Sequence, residues 1–511
     1  LIFQWILWES GSEATGLRGG YPDPTVLSVL CSVCGSWRNI ALDTPMLWRN
    51  IQVRRRTPWL RHCVRQSRSV TLNILFLATT PFVSAASLLW DESYRIRELI
   101  ISDATRGTVE LVEMLLHNSM PTLEVLEIDP LFDEHPILAL GDDPRALPAL
   151  KNLRLDDIRL DWQRSGPAMR NLRNLELMGD FWGNKQPSFR LFMRCLQGCP
   201  ELEYLYFYSV LPVIYCDRQL AENGPVPVAS LPNLENITFK HCLDFQAHDI
   251  YHILDHLMLP DSASIEVHAR RTQVGPAASP PQRYIDYVPR GATFALRIQN
   301  VDKVDIYAPS RLVFETESGG ETKVDLEDGA PARIDYANEQ RMQDMCTLLS
   351  GAPVSSFANR ALHVSPDTWA RIFRLFPGIQ DLTLTASPYV GEYVPGQITA
   401  ALDALRRDGA GLCELTMVEI EHGEWSPELF DALIEALQAR ANCGLMPLSG
   451  LYMEMIGRDV DDPEKVAMHE GYMDRLEELV EPSSGVHYED VDTAALGLYS
   501  YRDEDEVFSG A

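Results

Sequence analysis

Leu123-Glu124-Val125-Leu126-Glu127-Ile128, Leu150-Lys151-Asn152-Leu153-Arg154-Leu155 and Leu172-Arg173-Asn174-Leu175-Glu176-Leu177 are three copies of one pattern, L-x-x-L-x-L, and that pattern decides the fold. Six more copies keep the spacing: Ile96/Leu99/Ile101, Leu202/Leu205/Phe207, Leu234/Ile237/Phe239, Ile379/Leu382/Leu384, Leu412/Leu415/Met417 and Leu448/Leu451/Met453. Starts at 96, 123, 150, 172, 202 and 234 are 27, 27, 22, 30 and 32 residues apart, the interval of a strand-plus-helix repeat stacked side by side. One such unit cannot bury its apolar face alone, whereas a stack can. The pattern therefore predicts an α/β array, and such arrays are binding surfaces before they are reaction vessels.

Working outward, the repeats are tight over 94–242, and helix-compatible stretches such as Val109–His117 and Ser188–Gln197 separate the strands. Upstream, 57–67 reads as a helix, and the alternation Val70, Leu72, Ile74 reads as the strand that opens the array. Between 262 and 336 the signature lapses. There Thr293–Ile298, Val304–Tyr307, Leu312–Glu315 and Lys323–Leu326 alternate or run β-branched, which predicts further strands, with a hairpin turn at Gly319-Gly320. This part is either a degenerate stretch of the array or an inserted β element. A helix over Pro366–Phe376 precedes the return of the signature at Ile379, and past Gly457 the chain turns acidic, its last ~10 residues too poor in apolar groups to pack.

Length and composition narrow the functional classes. A chain of 511 residues with 46% hydrophobic and 23% charged residues has the material for a large core. The net charge of -29 repels phosphate backbones, so nucleic acid is not expected as a partner, and the short basic run Arg54, Arg55, Arg56 reads as a solvated start of a helix. Ten scattered cysteines suit reduced thiols in the cytoplasm or nucleus. No apolar run reaches the ~20 residues of a membrane span, and the opening LIFQWILW lacks the basic leader and cleavage site of a signal peptide. It reads instead as part of a helix cut short.

Leu27, Leu30, Cys31, Cys34, Trp37, Ile40 and Ala41 are spaced as one face of an amphipathic helix, and Pro45 then leads into Leu47, Trp48 and Ile51. Val33-Cys34-Gly35-Ser36-Trp37-Arg38-Asn39-Ile40-Ala41-Leu42, followed by Thr44-Pro45-Met46-Leu47-Trp48, resembles the second half of an F-box. The likeness is to the F-box-like proteins with leucine-rich repeats that abound in mushroom-forming fungi. Leu1-Ile2-Phe3-Gln4-Trp5-Ile6-Leu7 resembles the end of the motif's first helix, the chain beginning after the Leu-Pro pair that opens it. Gly198-Cys199-Pro200 before Leu202 is also in the style of those repeats.

The resemblance implies a leucine-rich-repeat solenoid, a curved parallel sheet with outer helices, over residues 53–456 with the degenerate β-rich part at 262–336. It further implies a small helical F-box-like segment over 1–52, ahead of an acidic segment at 457–511 that is partly disordered. It implies a non-catalytic substrate-recognition subunit of a cullin-RING (SCF-type) ubiquitin ligase, with the adaptor, the cullin and a target protein as partners. The positions matching the family's adaptor contacts are Phe3, Ile6, Leu27, Leu30, Val33, Cys34, Trp37, Leu47 and Trp48. The alternative is a repeat-protein scaffold with no ligase connection, in which these residues only cap the array.

In a strand x-L-x-L-x the leucines point inward and the intervening side chains outward, onto the expected concave face. This places Glu127, Asp129, Arg154, Asp156, Glu176, Tyr204, Tyr206, Tyr208 and Lys240 where a target would bind. Tyrosine offers a large contact area with a polar tip at little entropy cost, so three on one strand mark a binding hot spot. An aromatic-rich strand under a covering loop is the alternative.

No catalytic constellation is present: the chain has no phosphate loop, dinucleotide fingerprint, nucleophile elbow or zinc-protease helix. His248, His252 and His256 recur every four residues as metal ligands on a helix do. Ile250, Ile253, Leu254 and Leu257 already account for that helix as a packing element, so neither metal nor cofactor is expected.

Overall fold

In a computed structural model, the described residues are 24–491, apart from 54–56, 78, 131–134, 144, 180–188, 210, 212–225, 244–246, 271–282, 290–291, 308–310, 328–333, 361–363, 387–395, 409–411, 457–461 and 483–484. The chain divides into two compact units, residues 1–242 with 256–260, and residues 243–255 with 261–511.

The first unit begins with helices α1 (Pro24–Val33) and α2 (Gly35–Leu42). A single amphipathic helix was expected here. Cys34 breaks it by adopting an extended backbone (φ -160, ψ 170), and the Arg38 guanidinium closes the corner by donating from Nε to the Cys31 carbonyl at 2.8 Å. Because the helix restarts at Gly35, its apolar residues no longer share one face. A 3-10 turn, Pro45–Trp48, follows, and Trp48 Nε1 donates to the Ala41 carbonyl at 2.7 Å.

The array then opens one strand earlier than the alternation suggested, at β1 (Asn50–Val53). Helix α3 (Thr57–Gln66) connects it to β2 (Leu72–Phe76), buried at every position rather than at alternate ones. Helix α4 (Thr79–Asp91), β3 (Ile96–Ala104), α5 (Arg106–Leu116), β4 (Val125–Pro130), β5 (Asn152–Asp156), β6 (Asn174–Met178), α6 (Phe189–Gln197), β7 (Tyr204–Tyr208) and β8 (Asn236–Leu243) complete the run. β1 to β8 pair in chain order, and every pairing is parallel.

The register explains the pattern. Ile51, Ile74, Leu99, Leu126, Leu153, Leu175, Leu205 and Ile237 lie side by side across the eight strands. Two residues on, Val53, Phe76, Ile101, Ile128, Leu155, Leu177, Phe207 and Phe239 form a second line, and no member of either line is more than 4% exposed. Because side chains alternate along a strand, one slip of register would move a whole line onto the opposite face, so burial locks the alignment.

The first leucine of each signature has a separate duty. Its N–H closes a turn onto a carbonyl three residues back: Leu123 to Met120, Leu150 to Leu147, Leu172 to Met169, Leu202 to Cys199 and Leu234 to Leu231. Proline follows four of those five acceptor residues, as Pro121, Pro148, Pro200 and Pro232, where its fixed φ suits a turn and its missing N–H costs nothing.

The second unit contains α7 (Ala247–Asp255), β9 (Ser264–Arg270), α8 (Ala292–Gln299), β10 (Val301–Tyr307), β11 (Arg311–Thr316), β12 (Glu321–Glu327), α9 (Ile334–Leu348), β13 (Ser356–Asn359), α10 (Pro366–Leu375), β14 (Asp381–Thr385), α11 (Gln397–Asp408), β15 (Met417–Glu424), α12 (Pro427–Asn442), β16 (Gly450–Ile456), α13 (Pro463–Glu477) and β17 (Val486–Val491). Its strands lie in the order β9-β12-β11-β10-β13-β14-β15-β16-β17. Only the pairs β10–β11 and β11–β12 are antiparallel. The weakly patterned 262–336 thus belongs to the same sheet as its neighbours in this unit, with one reversed strand let into it.

Thr293–Ile298, expected as a strand, is helical. Phe294, Leu296 and Ile298 alternate in sequence, but the buried residues are Phe294, Arg297 and Ile298, spaced three and four apart, and Leu296 is exposed. The glycine pair does make the hairpin between β11 and β12. Gly319 takes φ +84, and a Cβ at Gly320 would sit 1.8 Å from the Asp261 carbonyl oxygen, so only glycine fits there. Past Gly457, where composition marks off an acidic segment, α13 and β17 follow and β17 pairs in parallel with β16. Residues 492–511 lie outside the described residues.

Candidate functional site

Opposite the buried lines of the first unit, the outward residues fall into rows of their own. One row runs Asn152, Asn174, Tyr204, Asn236, and the next Glu127, Arg154, Glu176, Tyr206, Thr238. A third brings Asp156, Met178, Tyr208 and Lys240 together. Strand pairing alone therefore assembles residues more than a hundred positions apart.

A groove of ≈ 430 Å³ opens on this face, lined by Asn174, Glu176, Tyr204, Leu205, Tyr206 and Asn236. Of the target-binding positions expected from sequence, Glu176, Tyr204 and Tyr206 thus share one site. Tyr204 is exposed and its hydroxyl donates to Glu235, which raises the phenol pKa. Tyr206 and Tyr208 are half-buried, and the Tyr208 ring lies 4.8 Å from that of His241. Asn174 and Asn236 occupy the same outward position of the repeat as Tyr204, as the alternation x-L-x-L-x requires, whereas Glu235 was not among the expected residues.

Beside the groove, Glu127, Asp129, Asp156 and Asp157 are close enough to influence one another's charge, and the Arg154 guanidinium, which acts on Asp129 and Asp156, reaches Glu176 at 3.9 Å. Burial, with Glu127 and Asp103 adding to it against Arg154, raises the Asp129 carboxyl above its ordinary range. Burial and the charges of Asp129 and Asp157 push Asp156 up to about 6, again against Arg154. His135 approaches Asp157 at 3.6 Å.

A folded pKa above the unfolded value means that the native state holds its proton longer. Asp156 therefore costs no stability below about pH 4, and the cost grows as pH rises through its folded pKa. Solvent reaches this group, so the full linkage energy is not realised. Asp156→Asn is expected to raise unfolding stability at about pH 7 by roughly 1–2 kcal/mol, and by almost nothing near pH 4. Urea midpoints at the two pH values check this, and a destabilised Asn variant at neutral pH would refute it.

The corresponding face of the second unit is wired differently. Glu266 accepts from His268 Nε2 and from Lys323 Nζ, both at 2.9 Å, while Arg311 reaches Asp325 at 2.8 Å and His268 Nδ1 lies 3.7 Å from Asp325. The His268 hydrogen bond, outweighing burial, and Lys323 hold Glu266 down to about 2. Burial opposes ionisation of Asp325, but His268 and Arg311 overcome it and keep that carboxyl below its usual range. Burial likewise disfavours a charged His268, and its two carboxylate partners prevail and raise its pKa. These acids already have their cations. The alternating charges in 264–270 and 321–327 were the sequence signal for this cluster, which strand spacing alone did not reveal.

Among the adaptor-matching positions, Phe3 and Ile6 lie outside the described residues. Leu27, Leu30, Leu47 and Trp48 are turned into the core, Trp37 is half-buried, and Val33 and Cys34 are exposed. Val29, Val33, Ile40 and Met46 are exposed by 61%, 55%, 52% and 46%, a dense set of outward apolar groups for so short a segment. On α7, His248 and His252 touch each other, Nε2 to Nε2 at 3.0 Å; His256 lies past the end of that helix, in the first unit, and rests edge-on against Phe189. Among the described residues no group of three or more His, Cys, Asp or Glu side chains is placed to hold a metal ion. None of their helices is long and apolar enough to cross a membrane.

No protein-family model matches this sequence, and no curated protein matches it.

Proposed function

We propose that this chain is a non-catalytic substrate-recognition subunit of a cullin-RING ubiquitin ligase, a leucine-rich-repeat solenoid carrying an F-box-like docking segment. The observation that carries the reading is the outward apolar set Val29, Val33, Ile40 and Met46 on a helical segment beside the first strand of a parallel array. Apolar side chains crowded on so small a helical segment are the hallmark of a surface that a partner covers. The V-C-x-x-W and P-x-L-W resemblance names that partner as the ligase adaptor. Target protein binds on the outward rows of β4 to β8, and the chain contributes by positioning, since holding a target lysine near the charged enzyme raises its effective concentration. The compartment that follows is the cytoplasm or nucleus, where that machinery works.

Co-expression with adaptor and cullin, followed by affinity capture, tests the reading. The wild-type chain is expected to retain the adaptor, and Val33→Asp with Ile40→Asp to weaken capture at least about tenfold with an unchanged melting curve, because both side chains face solvent. A wild-type chain that never retains adaptor sinks the ligase reading. One observation favours a second reading, a scaffold without ligase association: Leu27, Leu30, Leu47 and Trp48 are spent on closing the end of the array, as a cap would spend them.

A further inference from the structure

We infer that the arginines on and just after α3 form a docking surface for an acidic segment of the protein partner that covers Val33, Ile40 and Met46. This inference rests on the proposed role of that apolar set in docking and adds the charge of what docks there. Three observations carry it.

The first is where the charge lies. Residues 24–70 hold eight arginines and a single acid, Asp43, in a chain whose net charge is -29. Arg54, Arg55 and Arg56 lie outside the described residues. Of the others, Arg61 and Arg65 stand one turn apart on α3, both exposed, and no carboxylate among the described residues pairs with either. Arg68 is exposed as well and reaches Asp43 at 3.3 Å, itself exposed. Pairs so open to solvent contribute little, so a partner's carboxylate can take the place of Asp43.

The second is how these arginines are presented. Leu60, Cys63 and Val64 bury one side of α3, and the Trp59 ring packs 6.0 Å from that of Trp48. The helix is thereby fixed, and Arg61 and Arg65 are held toward solvent. The stretch 24–70 has no lysine at all. A planar guanidinium meets a carboxylate through two parallel hydrogen bonds and loses less freedom per bond than a lysine ammonium does.

The third is continuity. The Arg68–Asp43 pair joins the chain after α3 to the residue that caps the end of α2, and Asp43 lies three positions from Ile40 and three from Met46, both exposed. Arg38, also exposed, stands between Val33 and Ile40 in sequence. Apolar groups within a polar rim are the anatomy of a protein interface, and here the rim is positive. A nucleic acid or a lipid bilayer extends far enough to meet the acidic remainder of the chain, which repels it, whereas a short acidic segment engages the arginines alone.

Fluorescence anisotropy on the full chain tests this with a labelled peptide that carries glutamates on either side of a leucine pair, and with its glutamine analogue. The acidic peptide is expected to bind at least about tenfold more tightly than the analogue, and about tenfold less tightly at 0.5 M salt. Arg61→Glu with Arg65→Glu is expected to lose at least about tenfold in affinity with an unchanged melting curve. Arg106→Glu, which reverses an exposed arginine of α5 paired with Glu110, is expected to lose less than about twofold. Equal affinity for the glutamine analogue, no binding of the acidic peptide, or equal losses in the two arginine variants overturns the inference. So does tighter binding of a single-stranded oligonucleotide, or retention on phosphatidylserine vesicles. Adaptor capture on the same preparations separates the two readings. A chain that retains adaptor but does not distinguish the peptides overturns this inference alone, and one that selects the acidic peptide without retaining adaptor overturns the ligase connection alone.

Discussion

Phe207→Ala is expected to destabilise the first unit by about 3–5 kcal/mol, the usual cost of deleting a fully buried aromatic ring. Phe207 is 0% exposed. Its ring stacks on Phe239 at 5.4 Å and meets Phe192 of α6 at 5.9 Å, so it joins β7 to the next strand and to the helix beneath. The void left by the ring could not be closed without moving three elements at once. Tyr206→Ala, one residue away but facing outward, is expected to change stability by less than about 1 kcal/mol while impairing binding. Urea unfolding followed by circular dichroism measures both. A small cost at Phe207 would mean that the aromatic line is not a continuous interior, and the account of the array would fail with it.

Arg297→Met is expected to be as damaging in the second unit, by roughly 3–5 kcal/mol. Arg297 is 4% exposed. It donates from Nε to Thr322 Oγ1 at 3.1 Å, from Nη1 to the Asp261 carbonyl at 3.3 Å, and from Nη2 to the carbonyls of Glu321, at 3.1 Å, and Ala263. Burial, partly offset by Asp261, lowers its pKa to about 10, so it remains charged at neutral pH. Methionine would preserve the packing of the stem but remove every one of these donors from buried carbonyl oxygens. Arg297→Lys, with charge but no fork, should fall between the two. If chemical denaturation gave the Met variant wild-type stability, the carbonyls would have to be satisfied some other way and the fork would have no structural role.

The two residues illustrate what a sequence can and cannot disclose. Phe207 was legible because it sits at a fixed position of a repeated pattern. Arg297 was not, because its six-residue window alternates like a strand and its carbonyl acceptors come from 36, 34 and 24 positions away. Cys34 carries a similar lesson: apolar spacing ran straight through it, and the chain nonetheless turns there, since periodicity reports which residues want burial and not whether one helix can bury them all. The Cys199-Pro200 pair before Leu202 is one instance of a wider signal, an apolar residue followed by proline three places before the first position of the signature, at Met120, Leu147, Cys199, Leu231 and Phe376. Each of these accepts the turn hydrogen bond that launches the next strand.

The candidate site was half legible. Alternation along x-L-x-L-x placed Glu176, Tyr204 and Tyr206 on one face, because the pleat admits no other arrangement. It could not say that Asp129 and Asp156 crowd one another, since pairwise charge effects depend on neighbours set by the register of separate strands. Nor could it distinguish those acids from Glu266 and Asp325, whose cations arrive from β11 and β12.

From residue spacing alone came the strands at the nine copies of the signature, the inward and outward sides of eight of them, and the hairpin at Gly319-Gly320, because period-two burial and turn chemistry are local and written in the chain. At Leu412/Leu415/Met417 the phase was wrong, since Val418 and Ile420 are the buried residues in line with Leu382 and Leu384 and Met417 is 44% exposed. Folding decided where the first helix breaks, that 293–298 coils rather than extends, that β17 joins the sheet, and which carboxylates crowd one another. These depend on contacts between residues far apart in the chain, where desolvation and charge are settled by whatever the neighbouring strand happens to bring.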